Sequence, residues 1–189
     1  MEPLSQVLSE VTSALGRAGI RYAVGGSVAS SARGVWRTTL DVDLIAEIRP
    51  AQVSELIRAL GPVWYADSEM IRRAILSGRS FNLIHTRLAY KVDIFPVVEE
   101  FHAEQLSRAT ILPLGAEKIP CAVASAEDIL LAKIRWYRDG GESSDRQWND
   151  VVGIISANTS LDLTYLQHWA ARLGVTRLLE KAQADAQVL

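Results

Sequence analysis

The chain has 189 residues, 49% of them hydrophobic and 22% charged, with a formal net charge of −2. So high an apolar fraction with so little net charge excludes a mainly disordered chain, and the length suffices for one sizeable core with at most a small appendage. No stretch longer than 11 residues lacks Asp, Glu, Lys or Arg, which leaves no apolar run of about 20 residues to cross a membrane.

In chain order, MEPLSQVLSE carries acids and no basic n-region, so no signal peptide is expected and the cytoplasm is the expected compartment. Leu4, Val7, Leu8, Val11 and Leu15 recur at helical spacing behind Pro3, and Gly16 and Gly19 lie near the end of that helix. A short β-prone run, 20–24, ends in Gly25-Gly26. Residues 27–33 read as a short helix with Ser27 at its N-cap and Gly34 at its stop. Residues 40–47 alternate as a strand. Residues 50–60 form an amphipathic helix opened by Pro50, and 67–76 form another. Residues 80–85 and 89–95 read as two strands joined by a tight turn, the second ended by Pro96. A helix over 99–107 and strands over 109–114 and 118–123 follow. Ser125-Ala126-Glu127-Asp128 then resembles a capping box and opens a helix to about Arg138, with further helices near 145–157, 162–173 and 175–186. The expected architecture is α/β: a mixed core over 1–123, and a helical region over 124–189 packed on it.

The chemistry centres on Asp41-Val42-Asp43. Period-two geometry puts both carboxylates on one strand face, where they repel each other unless solvent or a divalent cation relieves them. A half-exposed strand with a polar outer face accounts for the pair equally well. Upstream lies Gly25-Gly26-Ser27, between a strand and a helix. Glycines let backbone amides approach a phosphate, although a plain strand-to-helix turn uses the same residues. Together the two features make the layout that holds a nucleoside triphosphate and its Mg²⁺. Asp93, on a later strand, would add a third carboxylate if its strand paired beside the first.

Gly25-Gly26-Ser27, then thirteen residues, then Asp41-Val42-Asp43-Leu44, then Asp93, resembles the nucleotidyltransferase superfamily related to DNA polymerase β. Within it, the chain is most similar to small bacterial proteins grouped with the AbiEii toxins. The similarity continues in Arg37-Thr38-Thr39-Leu40, in the run from Ala126 to Lys133, in Asp145-Arg146 followed by Asp150-Val151, and in the run from Leu161 to Leu166. The resemblance implies a nucleotidyltransferase fold with a mixed sheet flanked by helices and a C-terminal helical bundle. It implies two Mg²⁺ ions, with Mn²⁺ as an alternative, held by Asp41, Asp43 and Asp93, the last also a base toward an acceptor hydroxyl. Gly25, Gly26 and Ser27 would face the triphosphate of an NTP such as ATP, with Arg37, Lys133 and Arg146 as further phosphate contacts. The competing reading is a solvated helix lysine for Lys133, and a surface or salt-bridge residue for Arg37 and Arg146. The implied activity is transfer of a nucleoside monophosphate to RNA or protein, in a toxin with a cognate antitoxin. An aminoglycoside-type adenylyltransferase and a non-catalytic nucleotide-binding module are the alternatives. With a pI of about 5.9, duplex DNA is not an expected partner. Cys121, the one cysteine, allows neither an internal disulfide nor a Cys-based zinc site.

Overall fold

A computed structural model describes residues 1–34 and 39–187 of the chain. The first helix, α1 (Pro3–Arg17), begins at the expected proline, and the Glu2 carboxylate caps it by accepting from the backbone N–H groups of Leu4 and Ser5. Its Val7, Leu8, Val11, Ala14 and Leu15 are wholly buried. Each of the larger ones contributes about 1.5–3 kcal/mol by leaving water. Next come β1 (Arg21–Val24), α2 (Gly26–Ala32) and β2 (Asp41–Glu47). The helix expected from Pro50 is a 3-10 turn, Pro50–Gln52, followed by α3 (Val53–Leu60). A two-residue strand, β3 (Trp64–Tyr65), precedes α4 (Ser68–Leu76), β4 (Phe81–His85) and β5 (Tyr90–Pro96). Then follow α5 (Glu100–Ser107), β6 (Thr110–Leu114) and β7 (Ile119–Val123). The chain ends in four helices, α6 (Ala126–Asp139), α7 (Asp145–Ala157), α8 (Leu163–Leu173) and α9 (Thr176–Ala186).

The strands form one mixed seven-stranded sheet in the order β3-β4-β5-β2-β1-β7-β6. The central joint is parallel, β2 beside β5, and the neighbouring β1–β2 and β4–β5 pairs are antiparallel. Alternation decides which side chains go inside. Val42, Leu44, Leu83, Val92 and Ile94 are buried on one face. That is the face α1 spans, since Glu10 on α1 reaches His85 of β4, a residue of the same alternation. The opposite face carries Asp41, Asp43, Lys91, Asp93 and Asn82. Pro96 is the last residue of β5, opposite Ala46 at the end of the ladder, where its missing N–H costs least.

The chain divides into two compact units, Met1–Val28 with Thr38–Ala124, and Ala29–Arg37 with Ser125–Leu189. The first holds the sheet. The second holds the C-terminal helices and differs from the expected region 124–189 by taking in the end of α2 as well. There the Asn158 side-chain amide donates to the Arg33 carbonyl. Within the helical unit, Ser125 caps α6 as its sequence suggested, accepting from the Asp128 N–H at 3.1 Å. The fully buried Asp128 carboxylate takes hydrogen bonds from the Ser125 and Tyr165 hydroxyls at 2.8 and 2.5 Å, joining α6 to α8.

Candidate active site

The parallel β2–β5 ladder sets Asp43 directly opposite Asp93, and Asp41 directly opposite Lys91. Residues paired across a sheet point to the same side, so the three carboxylates share one face. Across β5, Asn82 of β4 lies opposite Asp93, extending the polar row by one strand. On the other flank, the Gly25 N–H donates to the Asp43 carbonyl at 2.8 Å, which brings the glycine pair beside the same row. The start of β2 is clamped locally, because the Thr39 hydroxyl accepts from the Asp41 N–H and donates to the Asp41 carbonyl.

Gly26 has a left-handed backbone, φ +57°, and a Cβ built there would coincide with the Asp43 carboxylate. That carboxylate therefore packs over the glycine, in space any side chain would take. At Gly25 the nearest atom to such a Cβ is the Asp43 carbonyl oxygen, 3.9 Å away. By residue type the glycine pair suits a close approach to phosphate. Its second member has a further function in seating a carboxylate. α2 begins at Gly26, so Ser27 lies inside the helix rather than at its N-cap.

Between the carboxylates sits a residue to which the sequence reading gave no role. The Lys91 ammonium lies 2.8 Å from the Asp93 carboxylate and 3.7 Å from that of Asp41. The hydrogen bond that Lys91 donates to Asp93 raises it above the ordinary lysine range; partial burial opposes this, and the nearby charges of Asp93, Asp41 and Asp43 reinforce it. The repulsion expected of clustered acids is thus relieved from within β5 itself. A signal was available, since Lys91 stands two residues before Asp93 and period two gives them a common face.

The donor set is all carboxylate oxygen, the chemistry Mg²⁺ and Mn²⁺ prefer, and the face already accommodates one cation, the Lys91 ammonium. The residues therefore suit a divalent ion. Among the described residues, no three His, Cys, Asp or Glu side chains are gathered closely enough to hold one, so the shared face is built but its carboxylates are not drawn to a common point.

The remaining candidates lie elsewhere. Lys133 is buried on α6 and bound to Asp150 of α7 at 2.9 Å. Arg146 is exposed on α7. Arg37 lies outside the described residues. Trp136, on α6, is 38% exposed. Cys121 is buried, and burial pushes its thiol up to about 11.

No family model and no curated protein matches the chain. Solved structures do. The solution structure of the antibiotic-resistance factor ANT(2'')-Ia matches with a TM-score of 0.51 at 19% identity, over 97% of this chain and 94% of that one. A crystal structure of ANT(2'')-Ia in complex with adenylyl-2''-tobramycin matches with a TM-score of 0.53 at 19% identity, over 90% and 97%. An antigenic nucleotidyltransferase-like protein from Paracoccidioides brasiliensis matches with a TM-score of 0.53 at 20% identity, over 97% and 93%. The chain has the nucleotidyltransferase fold. No helix among the described residues is long and apolar enough to cross a membrane.

Proposed function

We propose that the chain is a nucleotidyltransferase that moves a nucleoside monophosphate from an NTP to an acceptor hydroxyl. The observation that carries this reading is the register placing Asp43 opposite Asp93, with the glycine pair hydrogen-bonded beside them. The acceptor oxygen forms a bond to the α-phosphorus, the bond from that phosphorus to the bridging oxygen breaks, and pyrophosphate leaves. The acceptor proton passes to a carboxylate oxygen, a role we assign to Asp93. Asp41, Asp43 and Asp93 would hold Mg²⁺ or Mn²⁺, and such ions, when bound, neutralise charge at the reacting phosphate. Ser27 and the Gly25–Gly26 amides would meet the phosphates, and Lys133, Arg146 and Arg37 are the further candidates for them.

The resemblance to AbiEii-type proteins supports an RNA end or a protein hydroxyl as acceptor, with a cognate antitoxin as partner. The similarity to ANT(2'')-Ia along nearly the whole length of both chains supports a second reading, an aminoglycoside-type small-molecule acceptor. One assay separates them. Each α-labelled NTP is incubated with Mg²⁺ and the protein, beside total RNA, whole lysate or an aminoglycoside panel, and label is followed into each pool. Label in RNA or protein supports the first reading, and label in an aminoglycoside supports the second. Asp43→Asn and Asp93→Asn should abolish labelling in a folded protein, because phosphoryl-type transfer rests on positioning and charge neutralisation. Nucleotide binding without transfer to any pool would instead make the chain a non-catalytic nucleotide-binding module.

A further inference from the structure

We propose that Lys91 is a built-in counter-cation of this site, so that a divalent ion enters by exchange with the Lys91 ammonium rather than by addition to open carboxylates. The inference rests on the metal-binding reading above and adds a positioning residue to it. The geometry carries it. The Lys91 ammonium holds the Asp93 carboxylate at 2.8 Å and stands 3.7 Å from that of Asp41, two of the three groups that would ligate the ion. Lys91 reaches both because it is registered directly opposite Asp41 and lies two residues from Asp93 on the same face.

The ammonium stands at one oxygen of each carboxylate, Asp93 Oδ2 and Asp41 Oδ1, and competes there with a divalent ion for the same lone pairs. Like charges a few ångströms apart also repel strongly where solvent is partly excluded, and the Asp93 side chain is only 22% exposed. On this proposal the ion takes those two oxygens and the ammonium turns outward, which the 43% exposure of that side chain permits. Without a metal, Lys91 compensates the charge of the carboxylate row. The exchange weakens metal binding in exchange for a carboxylate row that stays ordered without metal. It also keeps the resting site from holding stray cations tightly.

The test measures Mn²⁺ binding to the nucleotide-free full-length protein by electron paramagnetic resonance, together with thermal unfolding with and without Mg²⁺. Lys91→Met should bind Mn²⁺ roughly three- to tenfold more tightly than wild type, since it loses two modest ion-pair contacts and one like charge. It should melt lower than wild type without metal and show the larger Mg²⁺-induced shift. Lys91→Arg keeps the charge and should bind Mn²⁺ within about twofold of wild type. Unchanged or weaker Mn²⁺ affinity in Lys91→Met overturns the exchange, and so does Lys91→Arg binding as tightly as Lys91→Met. If neither wild type nor Lys91→Met binds Mn²⁺, with or without an NTP, the metal-binding reading itself falls and the exchange falls with it.

Discussion

Gly25 and Gly26 are neighbours, yet only one of them is sterically required. Gly26 combines φ +57° with a side-chain position already filled by the Asp43 carboxylate. Gly25 has no comparable contact and is not among the residues with positive φ. A left-handed conformation costs an L-residue about 1–2 kcal/mol, and displacing Asp43 adds to it. Gly26→Ala should therefore lower stability by at least about 1 kcal/mol in urea denaturation and weaken Mn²⁺ binding through Asp43. Gly25→Ala should leave both close to wild type. Equal losses in the two variants would show that the strand-to-helix turn, not the carboxylate, demands glycine. At this scale the sequence was readable where chemistry is local: Asp-x-Asp and Gly-Gly stand out by residue type and spacing alone. The Lys91 contacts were not readable, because the link to Asp41 depends on a register between strands some fifty residues apart.

The helices after residue 125 show the same division between local and tertiary signals. The start of α6 was legible because its cap is written in a few adjacent residues from Ser125; Ser144 and Asp162 also each accept from an N–H three residues on, while α9 has no side-chain cap. The pairing between these helices was not legible. Lys133 read as a phosphate candidate or a solvated lysine, and it lies buried against Asp150. Removing one partner of a buried ion pair leaves an uncompensated charge and typically costs about 3–5 kcal/mol, whereas replacing both can be nearly neutral. Lys133→Met and Asp150→Leu should each destabilise by roughly that amount, and the double variant by clearly less than their sum, measured as a double-mutant cycle in urea. The double variant then serves a second purpose. A loss of nucleotide affinity in this stably folded protein would assign Lys133 to the phosphates, and unchanged affinity would leave it to the α6–α7 pair. Short elements were the hardest to foresee. β3 spans two residues, too few for any period, and exists because Trp64 and Tyr65 find partners in His85 and Ile84.

For the molecule as a whole, Cys121 offers a probe of opening. It is wholly buried on β7, opposite Leu112 of β6, and burial lifts its thiol from the ordinary 9.0 to about 11. A raised acid favours the folded state's protonated form. Its contribution to stability is therefore intact below about pH 9 and declines as pH rises toward 11. At pH 8 a thiol reagent should label the native protein only as fast as the β6–β7 region opens, and denatured protein at once. Immediate native labelling would show that this edge of the sheet is open in solution. The order of strands has a consequence in time as well as in space. β2 and β5 are neighbours only after the chain between them has folded back through α3, α4 and β4, and closing so long a loop comes before any contact repays it. Asp43 and Asp93 thus have no reason to meet in a partly folded chain. A divalent ion that needs both should slow unfolding while leaving the refolding rate nearly unchanged, provided the β2–β5 joint closes after the rate-limiting step. The protein would then be synthesised and folded with Lys91 as a cation already in place at the row, and would meet its metal as a finished molecule.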